Sequence, residues 1–174
     1  MRLPNGNLVD KVRVDGDYHF SPSELMLYLL NKNQWTSAVW TFVFRKELVM
    51  ISQACFTKRV AHEDHLFTMR LISASNNIIC IPDVIYIQNV TNGSLTNSEK
   101  SSSYLFNRFD AFHEVNKDAS YEYCLKIKIL YYKWSLISFI DLCINNNRSA
   151  FGLIFIPTFC VYIFRYSIQT YFVF

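Results

Sequence analysis

Up to Phe20 the chain lacks apolar periodicity and is rich in Gly, Asn and Asp, so residues 1–20 read as a hairpin or an irregular lead-in. Order begins at Ser21. Ser21-Pro22-Ser23-Glu24 sets a capping Ser, a Pro at the first helical position and a Glu at the third, a capping box that opens a helix through about Asn31. Leu25, Met26, Tyr28, Leu29 and Leu30 form its inner side. A second apolar stretch from Trp35 to Met50 is long enough to favour helix over strand. A third, with Leu66, Phe67, Met69, Leu71, Ile72 and Ala74 at helical spacing, stops at Asn76-Asn77, residues suited to a C-cap.

The period then changes. Ile78 to Ile81 and Val84 to Val90 read as two short strands around Pro82-Asp83, and Thr91-Asn92-Gly93-Ser94 is a turn-rich loop. Asn97 or Ser98 can cap a further helix that buries Tyr104, Leu105, Phe109 and Phe112 and leaves Arg108 and Glu114 to solvent. From Tyr121 to Asn145 a long helical pattern is apolar on nearly every side, as expected of a central helix or one that touches something greasy. The pattern predicts a helix-rich α/β chain, with short strands followed by C-terminal helices, divided into 1–20, 21–96 and 97–174.

At 174 residues the chain fits one domain with a sizeable core. Its formal charge of +3 is mild and the basic residues are scattered, which argues against nucleic acid as a partner. The 5 cysteines are odd in number and form no C-x-x-C pair, the usage of free thiols in a reducing compartment. Met1 to Gly6 lacks the apolar run of a secretory signal, so the chain is expected to be cytoplasmic. Phe151 to Phe164 carries no charge but is shorter than the roughly 20 residues that cross a bilayer, and Pro157 interrupts it. A packed helix or an in-plane interfacial segment suits it better, which allows membrane-surface association through 121–174 at the inner face of the membrane.

The candidate chemistry lies in His62-Glu63-Asp64-His65, just ahead of the third apolar stretch. A helix N-terminus has unpaired N–H groups and the positive end of the dipole, so a carboxylate there is expected to be ionised and fixed in position. Asp64 has the profile of a general base. His62 and His65 with Asp64 also suggest a zinc site, but neither H-E-x-x-H nor a third ligand is apparent, and His19 and His113 stand alone.

Three blocks carry a family resemblance: Trp40-Thr41-Phe42-Val43-Phe44-Arg45-Lys46-Glu47-Leu48, then His62-Glu63-Asp64-His65-Leu66-Phe67, then Tyr86 with Ser94-Leu95-Thr96. In that order they resemble the W-x-x-x-F-[RK]-[RK], H-E-D-x-x-F and Y-x-Y-R-x-R-x-x-S-I segments of bacterial family 2 glycosyltransferases, over about Ser21 to Thr96. The resemblance implies the acceptor-side half of a GT-A fold. Its activity would be transfer of a sugar from a nucleotide-sugar donor to a hydroxyl of a saccharide or lipid-linked saccharide acceptor, with inversion, in cell-envelope polysaccharide synthesis.

The motif match implies Asp64 as the base, with an ordinary pKa of about 4, and Glu63 as an orienting carboxylate. It implies substrate-binding roles for His62, His65, Trp40, Arg45, Tyr86 and Ser94. A complete enzyme of the family would also hold a divalent metal, Mg or Mn, on a D-x-D motif in a nucleotide-binding half that has no counterpart here. Asp15-Gly16-Asp17 has the spacing but no β-α-β succession before it and is expected to be a turn. Gln88, Asn89 and Thr91 replace an aromatic and two arginines of the family pattern, removing positive charge that could neutralise a diphosphate. The alternative reading is a non-catalytic interaction or membrane-associated module.

Overall fold

The computed structural model describes residues 14, 16–84, 86–89, 100–118 and 123–145. In chain order these form strand β1 (Tyr18–Phe20), helix α1 (Pro22–Asn31), a 3-10 turn (Val39–Thr41), helices α2 (Lys46–Ser52) and α3 (His65–Ala74), strand β2 (Ile78–Cys80), and helices α4 (Ser102–Lys117) and α5 (Leu125–Asn145). This is a helix-rich α/β arrangement with one two-stranded antiparallel sheet among the described residues.

Helix α1 starts as its sequence dictates. Ser21 Oγ accepts from Glu24 N at 3.3 Å while the Glu24 carboxylate accepts from Ser21 N at 2.8 Å, so the two side chains satisfy each other's orphan donors. The Ser21 bonds hold the Glu24 carboxyl below its usual range.

Helix α3 is the wall between two apolar clusters. Leu66, Met69 and Ile72 join α1, α4 and α5 in the main core, which holds Leu25, Met26, Leu105, Phe112, Val115, Ile127, Tyr131 and Phe139. Phe67 and Leu71 face the other way, onto Ala54 and the inner side of α2, Leu48 and Val49. Two buried faces explain why the apolar stripe of α3 is so broad. Each fully buried large side chain contributes roughly 1.5–3 kcal/mol, so removing Phe112 or Met69 would open the core that carries the turn before α3.

The lead-in contributes β1, whose Tyr18, His19 and Phe20 pair with Cys80, Ile79 and Ile78 of β2. Thus β2 pairs with β1 from the lead-in, and the described residues between 84 and 89 show only an isolated bridge at Asn89. The stretch from Trp35 to Met50 is also not one helix. Trp35 is buried against Tyr131 and Trp134, Ser37 is bonded to α3, and Arg45 is extended, so the chain turns at Val39–Thr41 and becomes α-helical only from Lys46. Its apolar residues serve different surfaces, which a single helix could not do.

The other ends shift by a few residues. Helix α3 stops at Ser75, ahead of Asn76 and Asn77, and α4 is capped by Ser101, whose Oγ accepts from Tyr104 N at 3.2 Å. The expected caps at Asn97 and Ser98 lie outside the described residues, as do most of the lead-in, Ser94 and the tail 146–174. Helix α5 buries Ile127, Tyr131, Tyr132, Ser135, Phe139 and Cys143 while Leu125, Ile129, Ile137 and Ile144 remain exposed. Among the described residues no helix is long and apolar enough to cross a membrane.

Candidate functional site

Asp64 ends a loop that is bolted to α4. Arg59 donates from Nε to Asp110 at 2.7 Å and from an outer nitrogen to Glu114 at 2.6 Å. Glu114 therefore holds the loop in place and does not simply face solvent. Within the loop the backbone carbonyl of Glu63 accepts from Thr57 N at 3.2 Å, and the chain reverses at His62, whose φ of +61° is in the left-handed region. That reversal turns the His62 ring inward and leaves Glu63 and Asp64 at the mouth of α3.

Asp64 is the residue before the first turn of α3, yet its backbone is already helical and its side chain makes no cap bond. Its carboxylate accepts instead from Ser37 Oγ at 3.0 Å. The Ser37 carbonyl accepts from Thr68 Oγ1 at 2.7 Å, so the segment holding Asp64 is itself pinned to the next turn of α3. Partial burial pushes the Asp64 carboxyl above its ordinary value, the Ser37 bond opposes the rise, and Glu63 adds to it. The ordinary pKa expected at a helix dipole is thus displaced upward by desolvation. Asp64 is half-buried and takes part in none of the ion pairs among the described residues.

Beneath this turn lies a residue that the periodicity assigned to solvent. Arg108, from the middle of α4, is turned inward: one terminal nitrogen lies 3.3 Å from both His62 Nδ1 and His65 Nε2, and the other donates to Ser138 Oγ at 2.6 Å. Its plane lies over the rings of Phe112 and Trp134, at 4.7 and 5.7 Å from their centroids. Burial holds the guanidinium below its usual pKa. Burial and the Arg108 charge push His62 down to about 3 and His65 well below the ordinary imidazole value, so both rings are neutral. His65 is 1% exposed, packed edge-on against Phe112, and so does not face solvent. A guanidinium at 3.3 Å from both imidazoles repels a metal cation, and among the described residues no three His, Cys, Asp or Glu side chains are placed to hold one.

The remaining candidate residues are spread along neighbouring segments. Trp40 follows Ser37 by three positions and pairs with Tyr86 at 6.4 Å between ring centroids; both are exposed. Arg45 is exposed at the start of α2, and Tyr104 packs edge-on against His62 at 4.6 Å. The described residues of the D-x-D-like stretch, Gly16 and Asp17, run directly into β1. Compared with known proteins, the chain matches no family model, no curated protein and no solved structure.

Proposed function

We propose that this chain is the acceptor-side portion of an inverting, nucleotide-sugar-dependent glycosyltransferase, with Asp64 as the general base. The observation that carries the reading is the setting of Asp64: half-buried at the mouth of α3, held by Ser37 and bound in no ion pair among the described residues. A carboxylate in that setting is oriented, open to an incoming hydroxyl, and made more basic by desolvation.

In the proposed step the acceptor hydroxyl oxygen forms its bond to the anomeric carbon as the bond to the nucleotide diphosphate breaks on the opposite face. The electron pair leaves with the diphosphate and the hydroxyl proton passes to Asp64. Glu63, on the same turn, raises the proton affinity of Asp64 by like-charge repulsion. The Trp40 and Tyr86 rings offer apolar faces on which a sugar ring can stack. The described residues do not fit a divalent metal, so no part of this step is assigned to one.

The test is transfer of labelled sugar from nucleotide-sugars to a panel of oligosaccharide acceptors, using the chain alone and mixed with a separately expressed donor-binding half. Asp64→Asn should reduce transfer by on the order of 10²–10⁴-fold. Absence of transfer in both formats, together with no saccharide binding to the chain, overturns the reading. A second reading, as an interaction or membrane-associated module, draws on exposed Val43, Met50, Ile51 and Val60 around α2. Vesicle binding lost in Met50→Glu and Ile51→Glu would favour it.

A further inference from the structure

We propose that Arg108 is the positioning residue of this site: its buried guanidinium grips the two ends of the turn that carries Glu63 and Asp64, and stands as the internal counter-charge of the Asp64 carboxylate. The role of Asp64 as a base rests on the transferase reading above; the clamp rests on its own geometry.

The grip follows the order of the residues. His62 and His65 bracket Glu63 and Asp64 in the sequence, and a single terminal nitrogen of Arg108 lies 3.3 Å from His62 Nδ1 and 3.3 Å from His65 Nε2. That nitrogen has a hydrogen for each ring. A guanidinium cannot accept, so His62 accepts at Nδ1 and His65 at Nε2, and the neutral rings carry their protons on His62 Nε2 and His65 Nδ1. The two imidazoles are therefore opposite tautomers fixed by one cation. His65 is the first residue of α3, so the same contact ties the start of that helix to the middle of α4. The other terminal nitrogen carries the tie on to Ser138 of α5 at 2.6 Å.

The backbone shows why the turn needs an anchor. His62 sits at a φ of +61°, a left-handed conformation that a residue with a Cβ keeps only where its surroundings fix it. Thr57 holds the main chain through the Glu63 carbonyl, and Arg108 holds the His62 ring, against which Tyr104 packs edge-on. With His62 and His65 both held, the two residues between them have little freedom. The Ser37 hydroxyl then fixes the Asp64 carboxylate itself. His65 is almost wholly buried, so the node is internal and acts on the site through the turn.

The second half of the role is electrostatic. Arg59 and Arg70 bond directly to carboxylates, whereas Arg108 takes part in no ion pair among the described residues and is held by imidazoles, a hydroxyl and two aromatic faces. Neutral partners leave its charge to act across the turn. Burial raises the Asp64 carboxyl, the Ser37 bond opposes the rise, Glu63 adds to it, and the Arg108 charge opposes it again. Reciprocally, burial lowers the Arg108 guanidinium, while Tyr131, Tyr104 and Asp64 hold it up. Arg59 and Lys100 join burial and Arg108 in keeping His62 neutral.

The experiment is NMR of the full chain, following the imidazole nitrogens and the aspartate carboxyl carbons as pH is varied. In the wild type, protons are expected on His62 Nε2 and His65 Nδ1, with both rings still neutral at about pH 5. Arg108→Met keeps the apolar stem and loses the charge, so the Asp64 and His62 titrations should both move up. Arg108→Lys keeps the charge but lacks the planar fork that reaches both rings. It should leave the Asp64 titration close to that of the wild type while the His65 tautomer becomes mixed. In sugar transfer with a donor-binding half, the same variant should lower kcat on the order of 10–100-fold with little change in KM, the mark of a displaced base.

A proton on His62 Nδ1 or His65 Nε2 in the wild type overturns the clamp, because that hydrogen would face the guanidinium. An Asp64 titration unmoved in a folded Arg108→Met overturns the counter-charge. If either variant fails to fold, the wild-type tautomers and the other variant decide, and if neither folds the tautomers decide alone. The expected tautomers and a shifted Asp64 titration without any sugar transfer would leave the clamp standing and remove the transferase reading. Transfer with kcat unmoved by Arg108→Lys would do the reverse.

Discussion

Ser37 donates its hydroxyl to the Asp64 carboxylate at 3.0 Å across 27 positions of sequence, and this bond opposes part of the upward shift that burial gives the candidate base. It stabilises the charged carboxylate against the desolvation that raises its pKa. Ser37→Ala should therefore raise the Asp64 pKa further and cost about 1 kcal/mol of stability. Carboxyl carbon titration by NMR checks the first effect. A titration curve that does not move upward would mean that the hydroxyl does not act on the charge.

Arg59 ties the loop before Asp64 to α4 through two carboxylates, and its side chain is only 9% exposed. Arg59→Met removes both ion pairs while retaining the stem, and should destabilise the chain by about 2 kcal/mol, below the full cost of breaking a buried pair because Asp110 and Glu114 are more exposed. Asp110→Asn, at the more exposed partner, should cost under about 1 kcal/mol. Urea denaturation distinguishes the two. Equal losses would contradict the view that burial of the arginine makes the difference.

What the sequence made legible was local. Ser21, Pro22 and Glu24 act within one turn, so the start of α1 could be read from spacing, and the same holds for the apolar stripe of α3 below Asp64. Arg108 could not be read that way, because His62, His65 and Ser138 are 46, 43 and 30 residues distant and periodicity alone placed it among solvent-facing positions. A polar residue between Leu105 and Phe112 on a helix buried from two sides was the available signal. The partner of β2 was not legible for a related reason: strand propensity marks Ile78 to Ile81 as extended but cannot name a partner, which proves to be β1 from the lead-in.

Stability should fall with acid before the carboxylates titrate. His62 is depressed to about 3 and His65 lies well below its usual value, so between about pH 6.5 and 3 the unfolded chain binds protons that the folded chain refuses. Stability is then fully present above about pH 6.5 and declines below it, by up to about 1.4 kcal/mol per pH unit for each imidazole. Asp64, whose pKa is raised, acts in the opposite sense only in the acidic range where it takes up its proton. Denaturation midpoints from pH 8 to pH 4 check the slope, and His65→Gln should flatten it. A stability unchanged between about pH 7 and 5 would mean that the imidazoles are not held neutral.

Trp40 and Tyr86 separate stability from recognition. Their rings pair at 6.4 Å and are 44% and 51% exposed, so neither belongs to the two apolar clusters that hold the helices. Trp40→Ala and Tyr86→Ala should each change folding stability by under about 0.5 kcal/mol. If the pair is the platform for the acceptor sugar, each should weaken saccharide binding by about tenfold, the loss of one aromatic contact face. The effects should be less than additive in the double variant, because one ring supports the other. Trp40 also shares its segment with Ser37, so a sugar on the platform and the carboxylate of Asp64 are held by the same stretch of chain. Trp40→Phe, which keeps an aromatic face, should retain most of the binding. Saccharide titration of the four variants, monitored by ligand-observed NMR, decides the matter: unchanged affinity in Trp40→Ala and Tyr86→Ala would remove the platform.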